Sequence, residues 1–332
     1  MNIYATIYDN RYGKLWDISN AISELSITTY IDGAPGQCTF DLIKSGELAF
    51  WEGATVSIEV DGVKMFKGFV FKKSRSEDVD IISCTCYDQL RYLKNKDSYV
   101  FEGKTSDQIF KKICDDFVLK HKVVDASSYI CTPRSNDATS LYEMIEYALN
   151  DTLINDGEWY FIRDNFGVLE HVNVWSCLSG LLLGDGSGIT EFEYETSIED
   201  DTYNQIKLYR DNDKTGKREI FIVNDTINGG QNLKEWGILQ LYEKVDENLN
   251  KAQIEEKARG MLRLYNNVKR SLKLTSEGVP TIFAGCIFRC KIADLGDLSI
   301  DRYLLITECT HNISNGVHTM ELTTEVVTGG PR

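Results

Sequence analysis

Proline is scarce in this chain, with four among 332 residues, which argues against proline-rich linkers. Positive charge is in deficit: 36 Lys and Arg face 51 Asp and Glu, for a formal net charge of −15. Reading a nucleic-acid sequence needs a basic footprint, and peripheral attachment to anionic lipid needs a basic patch. Neither sequence-specific nucleic-acid binding nor membrane-surface binding is expected. Long apolar runs are also missing. The longest cluster, around residues 177–183, falls far short of the ~20 residues of a membrane helix. The first nine residues lack the basic and apolar regions of a signal peptide. The chain therefore reads as made and assembled in a cytoplasm, without membrane insertion.

Catalytic and metal signatures are equally thin. The nine cysteines include no C-x-x-C pair. Cys84, Cys86, Cys286, Cys290 and Cys309 fall at even spacings in alternating runs, as reduced core cysteines do. The four histidines, His121, His171, His311 and His318, stand near no nucleophile motif, and no G-x-S-x-G occurs. The glycine run 184–188 is not followed by Lys-Ser/Thr, so it reads as a flexible connector rather than a phosphate loop. Residues 211–216 imitate half of a calcium loop, but Ile222 stands where a bidentate Glu is required, and a hairpin turn is the better reading. Cys286, Cys290, Cys309 and His311 could hold zinc only at spacings that strand alternation already explains. Glu191, Glu193, Glu195, Glu199, Asp200 and Asp201 are the densest carboxylates. The first three alternate with Phe192 and Tyr194 like the solvated side of a half-buried strand. No catalytic, cofactor-binding or metal-binding residue is assigned, and no cofactor is expected.

What is present is β-pattern. Seventeen Tyr and fourteen Phe accompany short alternating runs at 3–8, 25–31, 39–43, 55–60, 65–71 and 81–87. Asp32-Gly33 and Asp61-Gly62 are dipeptides that close tight hairpins. Helical periodicity then takes over. Thr105 with Gln108 and Ser140 with Glu143 have capping-box spacing, and Ile109, Ile113 and Phe117 share a face. Gly157 stops the second helix, and strands at 159–163 and 168–172 follow around the Asn165-Phe166-Gly167 turn. Past the glycine run come strands at 190–195, 203–209 and 220–223, a helix capped by Asn250 at about 250–266, and strands at 272–275, 286–292, 303–313 and 319–326. The fold class expected is mainly β with an α+β insertion. Residues 1–90 form a first antiparallel barrel, 91–185 a compact α+β module, and 186–332 a second barrel domain.

One internal similarity stands out. Phe50-Trp51-Glu52-Gly53 leads into three strands, and Ile282-Phe283-Ala284-Gly285 leads into three strands in the same order. Two copies of one barrel would flank the middle module. Trp51 and Phe283, at equivalent points, are read as barrel core rather than interface.

The segment from Tyr203 to Val327 carries Tyr203-Asn204-Gln205-Ile206-Lys207-Leu208, the Lys214–Lys217 turn and Trp236-Gly237-Ile238-Leu239-Gln240. The helix at 250–265, the Phe283-Ala284-Gly285 turn, His311 and the closing Gly316-Val317-His318-Thr319-Met320-Glu321-Leu322 complete the set. In this order they resemble phage tail baseplate hub proteins, in particular the XkdQ-like family of contractile-tail phages, defective prophages and phage-tail-like bacteriocins. Asp88-Gln89-Leu90 and residues 105–117 extend the resemblance over nearly the whole chain, with Trp236 standing where Tyr is usual. The resemblance implies two tail-tube-like barrels per chain and a homotrimer of pseudo-sixfold symmetry. That trimer would join a hexameric tail tube to a trimeric central spike, beside other baseplate proteins of wedge or LysM type. It implies a structural role in a virion or tail-like particle, with an acidic channel wall that repels DNA phosphates, and no convergent titratable residues in any pocket. The competing roles are a tail-associated peptidoglycan hydrolase and a host-surface adhesin.

Overall fold

The computed structural model describes residues 1–44, 46–75, 80–199, 201–212, 216–226, 229–246, 249–293 and 300–326. Asp200, the Asp213-Lys214-Thr215 turn and Val327 lie outside the described residues.

The first strands are β1 (Ile3–Asp9), β2 (Lys14–Asp17), β3 (Ile22–Tyr30), β4 (Gln37–Ile43), β5 (Thr55–Val60), β6 (Val63–Ser74) and β7 (Ile81–Tyr87). Period-2 patterning makes them: Val56, Ile58 and Val60 are fully buried while Thr55, Ser57 and Glu59 point outward. Val60 pairs with Val63 across Asp61-Gly62, whose φ values of 50° and 80° are both left-handed, the two-residue turn that suits strand twist. Asp32-Gly33 behaves differently. Thr28 pairs with Gln37, and the wider connection arises because the Ile31 N–H is bonded to Thr307 O, outside this hairpin.

The middle of the chain adds β8 (Lys96–Phe101), α1 (Ser106–Asp116), β9 (His121–Val123), β10 (Arg134–Ser140), α2 (Leu141–Asp156), β11 (Tyr160–Asp164) and β12 (Leu169–Asn173). The expected caps are in place. The Ser140 N–H donates to Glu143 Oε2 while the Glu143 N–H donates to Ser140 Oγ, and Gly157 closes α2 at φ 77°. Alternation on β11 divides two cores. Tyr160 and Ile162 join the helix-side core with Phe110, Ile113 and Ile145, whereas Phe161 turns to Ile31, Ile287 and Leu305.

The last part has β13 (Leu178–Gly184), β14 (Ile189–Ser197), β15 (Gln205–Asn212), β16 (Lys217–Asn224), α3 (Gln231–Trp236), β17 (Gln240–Lys244), α4 (Lys251–Tyr265), β18 (Lys269–Glu277), β19 (Ile287–Ile292), β20 (Ile300–Ser314) and β21 (Val317–Val326). The glycine run is a bonded turn between β13 and β14 rather than a loose connector. Ser187 Oγ accepts the Gly184 N–H, and a Cβ at Gly184 would lie 1.8 Å from Lys291 O. Asn212 pairs with Lys217, so β15 and β16 form the hairpin expected at the calcium-like loop. With β17 they make a separate three-stranded sheet, covered by α4 through Ile254, Ala258 and Met261.

The duplication is visible strand by strand. One set runs β3-β4-β7-β6-β5-β1 across its sheet, the other β14-β18-β21-β20-β19-β13, in matching chain order. Gly53 N–H donates to Val70 O and Val70 N–H to Ala54 O; Gly285 N–H donates to Ile306 O and Ile306 N–H to Cys286 O. A bulge follows each time, between Val70 and Lys72 and between Ile306 and Glu308. The copies differ in the first strand, antiparallel to its neighbour in β1 and parallel in β13, and in the insertion between β14 and β18. Edge pairing of β3 with β20 welds them into one predominantly antiparallel sheet.

Candidate functional site

The weld between the repeats positions a surface no single motif announced. Leu25, Ile27 and Ile313 face the first core and Cys309 faces the core of the second repeat, while Ser26, Thr28, Thr310 and Asn312 alternate to the opposite side. There the polar side chains bond across the weld: Ser26 Oγ donates to Asn312 Oδ1 at 2.9 Å, and the Thr28 and Thr310 hydroxyls lie 3.0 Å apart. Register carries this polar side through Thr39 and Asp41 of β4, Ser83 and Thr85 of β7, Glu321 and Thr323 of β21, Lys273 of β18 and Glu191, Glu193 and Glu195 of β14. It is one band of eight strands, from β14 to β6, with a polar face opposite its buried face. Acidic groups prevail on that face: Asp41, Glu191, Glu193, Glu195, Glu308, Glu321 and Glu325 against Lys72, Lys269 and Lys273. Glu191, Glu193 and Glu195 therefore sit where their alternation placed them, on a solvated strand face.

Titratable groups do converge at one point, contrary to the expectation that no pocket would gather them. A cleft where the repeats meet the middle module is lined by Asp88, Arg163, Asp164 and His311. The carboxylates of Asp88 and Asp164 are engaged in holding backbone. Asp88 accepts the Gly36 and Leu90 N–H groups at 2.9 and 3.0 Å, and Asp164 accepts those of Gln89 and Gly167 at 3.1 and 2.5 Å. Burial, and next the Asp164 charge, push the Asp88 carboxyl well above its ordinary range; burial also raises Asp164. Arg163 pairs with Glu170 at 2.8 Å and lies over the Phe283 ring. The two carboxylates latch three loops together, because a buried backbone donor without a partner is costly.

The histidines also find structural roles. His311 Nε2 lies 2.8 Å from Ile282 O and its Nδ1 2.9 Å from His318 Nε2, a diagonal pair on the β20–β21 hairpin. Burial drives His311 down to about 4. His171 is buried between Ser106 Oγ and Asp125 O. Cys309 Sγ lies 3.3 Å from His311 Nε2, but among the described residues no three His, Cys, Asp or Glu side chains are grouped to hold a metal. All nine cysteines are buried and free; burial pushes the thiols of Cys286 and Cys290 up to about 12 and 11. The core reading fails for Trp51, which is 43% exposed with Arg11 over its ring, whereas Phe283 is half-buried and packed between two cores. Among the described residues no helix is long and apolar enough to cross a membrane.

A family model described as YQBQ-like matches residues 25–325. The chain is 32% identical over 297 residues to YqbQ of Bacillus subtilis strain 168, covering 87% of each. It is 30% identical over 287 residues to the phage-like element PBSX protein XkdQ of the same strain, covering 84% of each. Among solved structures, the fold is similar to the 43 kDa tail protein of prophage MuSo2 from Shewanella oneidensis, at TM-score 0.71 and 14% identity over 98% of both chains.

Proposed function

This chain belongs to the YQBQ-like family and is a phage tail and baseplate-like structural protein; from that premise we propose that it is the baseplate hub of a contractile tail or tail-like particle. In this reading it acts as a homotrimer of pseudo-sixfold symmetry, joining a hexameric tail tube to a trimeric central spike. The observation that carries the reading is the duplicated strand order with its matching turn, bulge and hydrogen bonds. Three chains with two like repeats each present six like units, which reconciles a sixfold neighbour on one side with a threefold one on the other. Residues 1–90 and the second repeat, which takes in β13 as well as β14 and β18 to β21, would supply the ring, and the part of residues 91–185 before β13 the module between them, contacting the spike or wedge and LysM-type baseplate proteins. The acidic polar face would line the channel, repelling phosphates along its length. The role is structural rather than enzymatic, with assembly in the bacterial cytoplasm before incorporation into the particle.

Light scattering over a concentration series is the direct test. A species of three chain masses, alone or on adding tube or spike protein, supports the hub. A chain that stays monomeric with both proteins present overturns it, as would clearing of a peptidoglycan gel that one Asp or Glu substitution abolishes.

A further inference from the structure

β16 is an edge strand of the separate three-stranded sheet. Among the described residues it pairs with β15 alone, over eight consecutive positions without a bulge, and no other backbone–backbone hydrogen bond engages it. Edge strands are normally guarded by proline, a bulge or a charge pointing inward. Here Ile220 and Ile222 stand 50% and 53% exposed in mid-strand. The charges gather at the hairpin end, where Arg218 is bonded to Asp211 and Glu219 to Arg210. The repeat fold does not call for this strand. The first repeat runs from Tyr30 to Gln37 with no sheet inserted where the second places β15, β16 and β17.

Along the open edge runs a groove of about 1050 Å³, with Ile220 and Ile222 on one wall and Lys251, Glu255, Arg259 and Arg263 of α4 on the other. From this we propose that the edge takes an extended segment of a partner protein as a fourth strand, its acidic residues alternating with apolar ones. The inference goes beyond the hub reading and does not rest on it. The alternation comes from the pleat. Phe221 and Val223 turn under α4, so Ile220 and Ile222 face the other way. A strand laid against β16 continues both faces: one set of its side chains lies under α4 and the other beside the two isoleucines. From Lys251 to Arg263 α4 rises about 18 Å, the length of about five or six strand residues.

Charge selects the set under α4. The groove is lined by three cations and two carboxylates in a chain of net charge −15, and Glu219 is already matched by Arg210 from outside it. Lys251 meets Glu255 at 3.7 Å and Arg263 meets Glu256 at 3.4 Å, exposed pairs that another carboxylate can displace. Arg259 has no ion-pair partner among the described residues. Backbone pairing supplies affinity, and the alternating side chains select the sequence. Nucleic acid and glycan are disfavoured on the isoleucine face. Tyr209 and Tyr242 stack there at 4.8 Å, with Arg218 over one ring and Lys207 over the other, so neither ring offers an open face to a base or sugar.

The test is fluorescence anisotropy with the full chain and a labelled seven-residue peptide of alternating Glu and Val. Saturable binding is expected, with a peptide of alternating Lys and Val bound at least tenfold more weakly. R259E/R263E should weaken the acidic peptide at least tenfold, an unchanged Tm showing that the variant is folded. N-methylation of alternate peptide residues separates strand addition from charge alone, because only one edge of the peptide donates to β16. Methylating one alternate set should abolish binding and methylating the other should leave it. Equal binding of the two peptides, binding that survives in both methylated sets or in neither, or no binding at all overturns the proposal. So does a chain oligomer that the peptide takes apart in light scattering, which would give the edge to a second copy.

Discussion

Gly53 and Gly285 occupy the same place in the two repeats, with φ of 86° and 100°, but their surroundings differ. A Cβ at Gly53 would meet open space, whereas one at Gly285 would lie 2.3 Å from the Phe161 ring. Gly53→Ala is expected to cost about 1–2 kcal/mol of left-handed strain. Gly285→Ala should add about 1–3 kcal/mol of overpacking. Denaturant unfolding of the two variants measures the difference, and equal losses would show that the middle module does not pin the second repeat there. His311 makes a second residue-scale prediction. Its folded pKa of about 4 lies below the ordinary 6.5, so between those values the unfolded chain binds a proton that the folded chain refuses. Stability should therefore fall as pH drops from about 6.5 towards 4, by at most about 1.4 kcal/mol per pH unit for this group. His171 and His318, lowered by the same burial, act in the same direction. His311→Gln should flatten the slope of unfolding free energy against pH in that window; an unchanged slope would assign the acid sensitivity elsewhere.

At the scale of elements, the contact of α4 with α2 depends on Gly260. A Cβ there would come within 2.4 Å of Ile154 O and 2.9 Å of Ile154 Cγ2. In a free helix Gly→Ala gains about 1 kcal/mol. Here the clash should reverse the sign, and Gly260→Ala is expected to lower Tm, with a net loss of about 1–2 kcal/mol. A raised Tm would mean that the two helices separate easily and that the three-stranded sheet is only loosely attached. The caps and turns on these elements were readable from local chemistry: Ser140 with Glu143, Asn250 with Gln253 and Asp61-Gly62 each satisfy their own neighbours. Asp32-Gly33 was misleading because the deciding bond, Ile31 N–H to Thr307 O, joins residues far apart in the chain.

At the scale of the molecule, the β3–β20 weld makes two repeats one sheet. Ile27 is 1% exposed at that seam, packed in the first core and opposite His311. Ile27→Ala is expected to cost about 2–5 kcal/mol. Because the seam is shared, amide exchange should accelerate together in β4 of the first repeat and β21 of the second. Faster exchange confined to β4 would show that the repeats unfold separately. The buried Asp88 and Asp164 latch acts on the same scale, tying the first repeat to the middle module through backbone N–H groups rather than through any reaction.

Alternation and capping are local, so the chain's order alone determined the strongly alternating strands, the helices α1, α2 and α4, the buried cysteines and the solvated glutamates of β14, but not the short strands β2, β8, β9, β10, β13 and β17 or the helix α3. It also determined the doubling of the turn and three-strand unit, since aromatic-x-Gly followed by three runs needs no knowledge of contacts. Only the tertiary structure decided which strands meet. The parallel partner of β13, the separate sheet of β15 to β17, the exposure of Trp51 and the meeting of His311 with Asp88 at one cleft all depend on pairings between distant residues. A strand's pattern states which face is buried but not which neighbour lies beside it, because backbone hydrogen bonds at an edge are the same for every sequence.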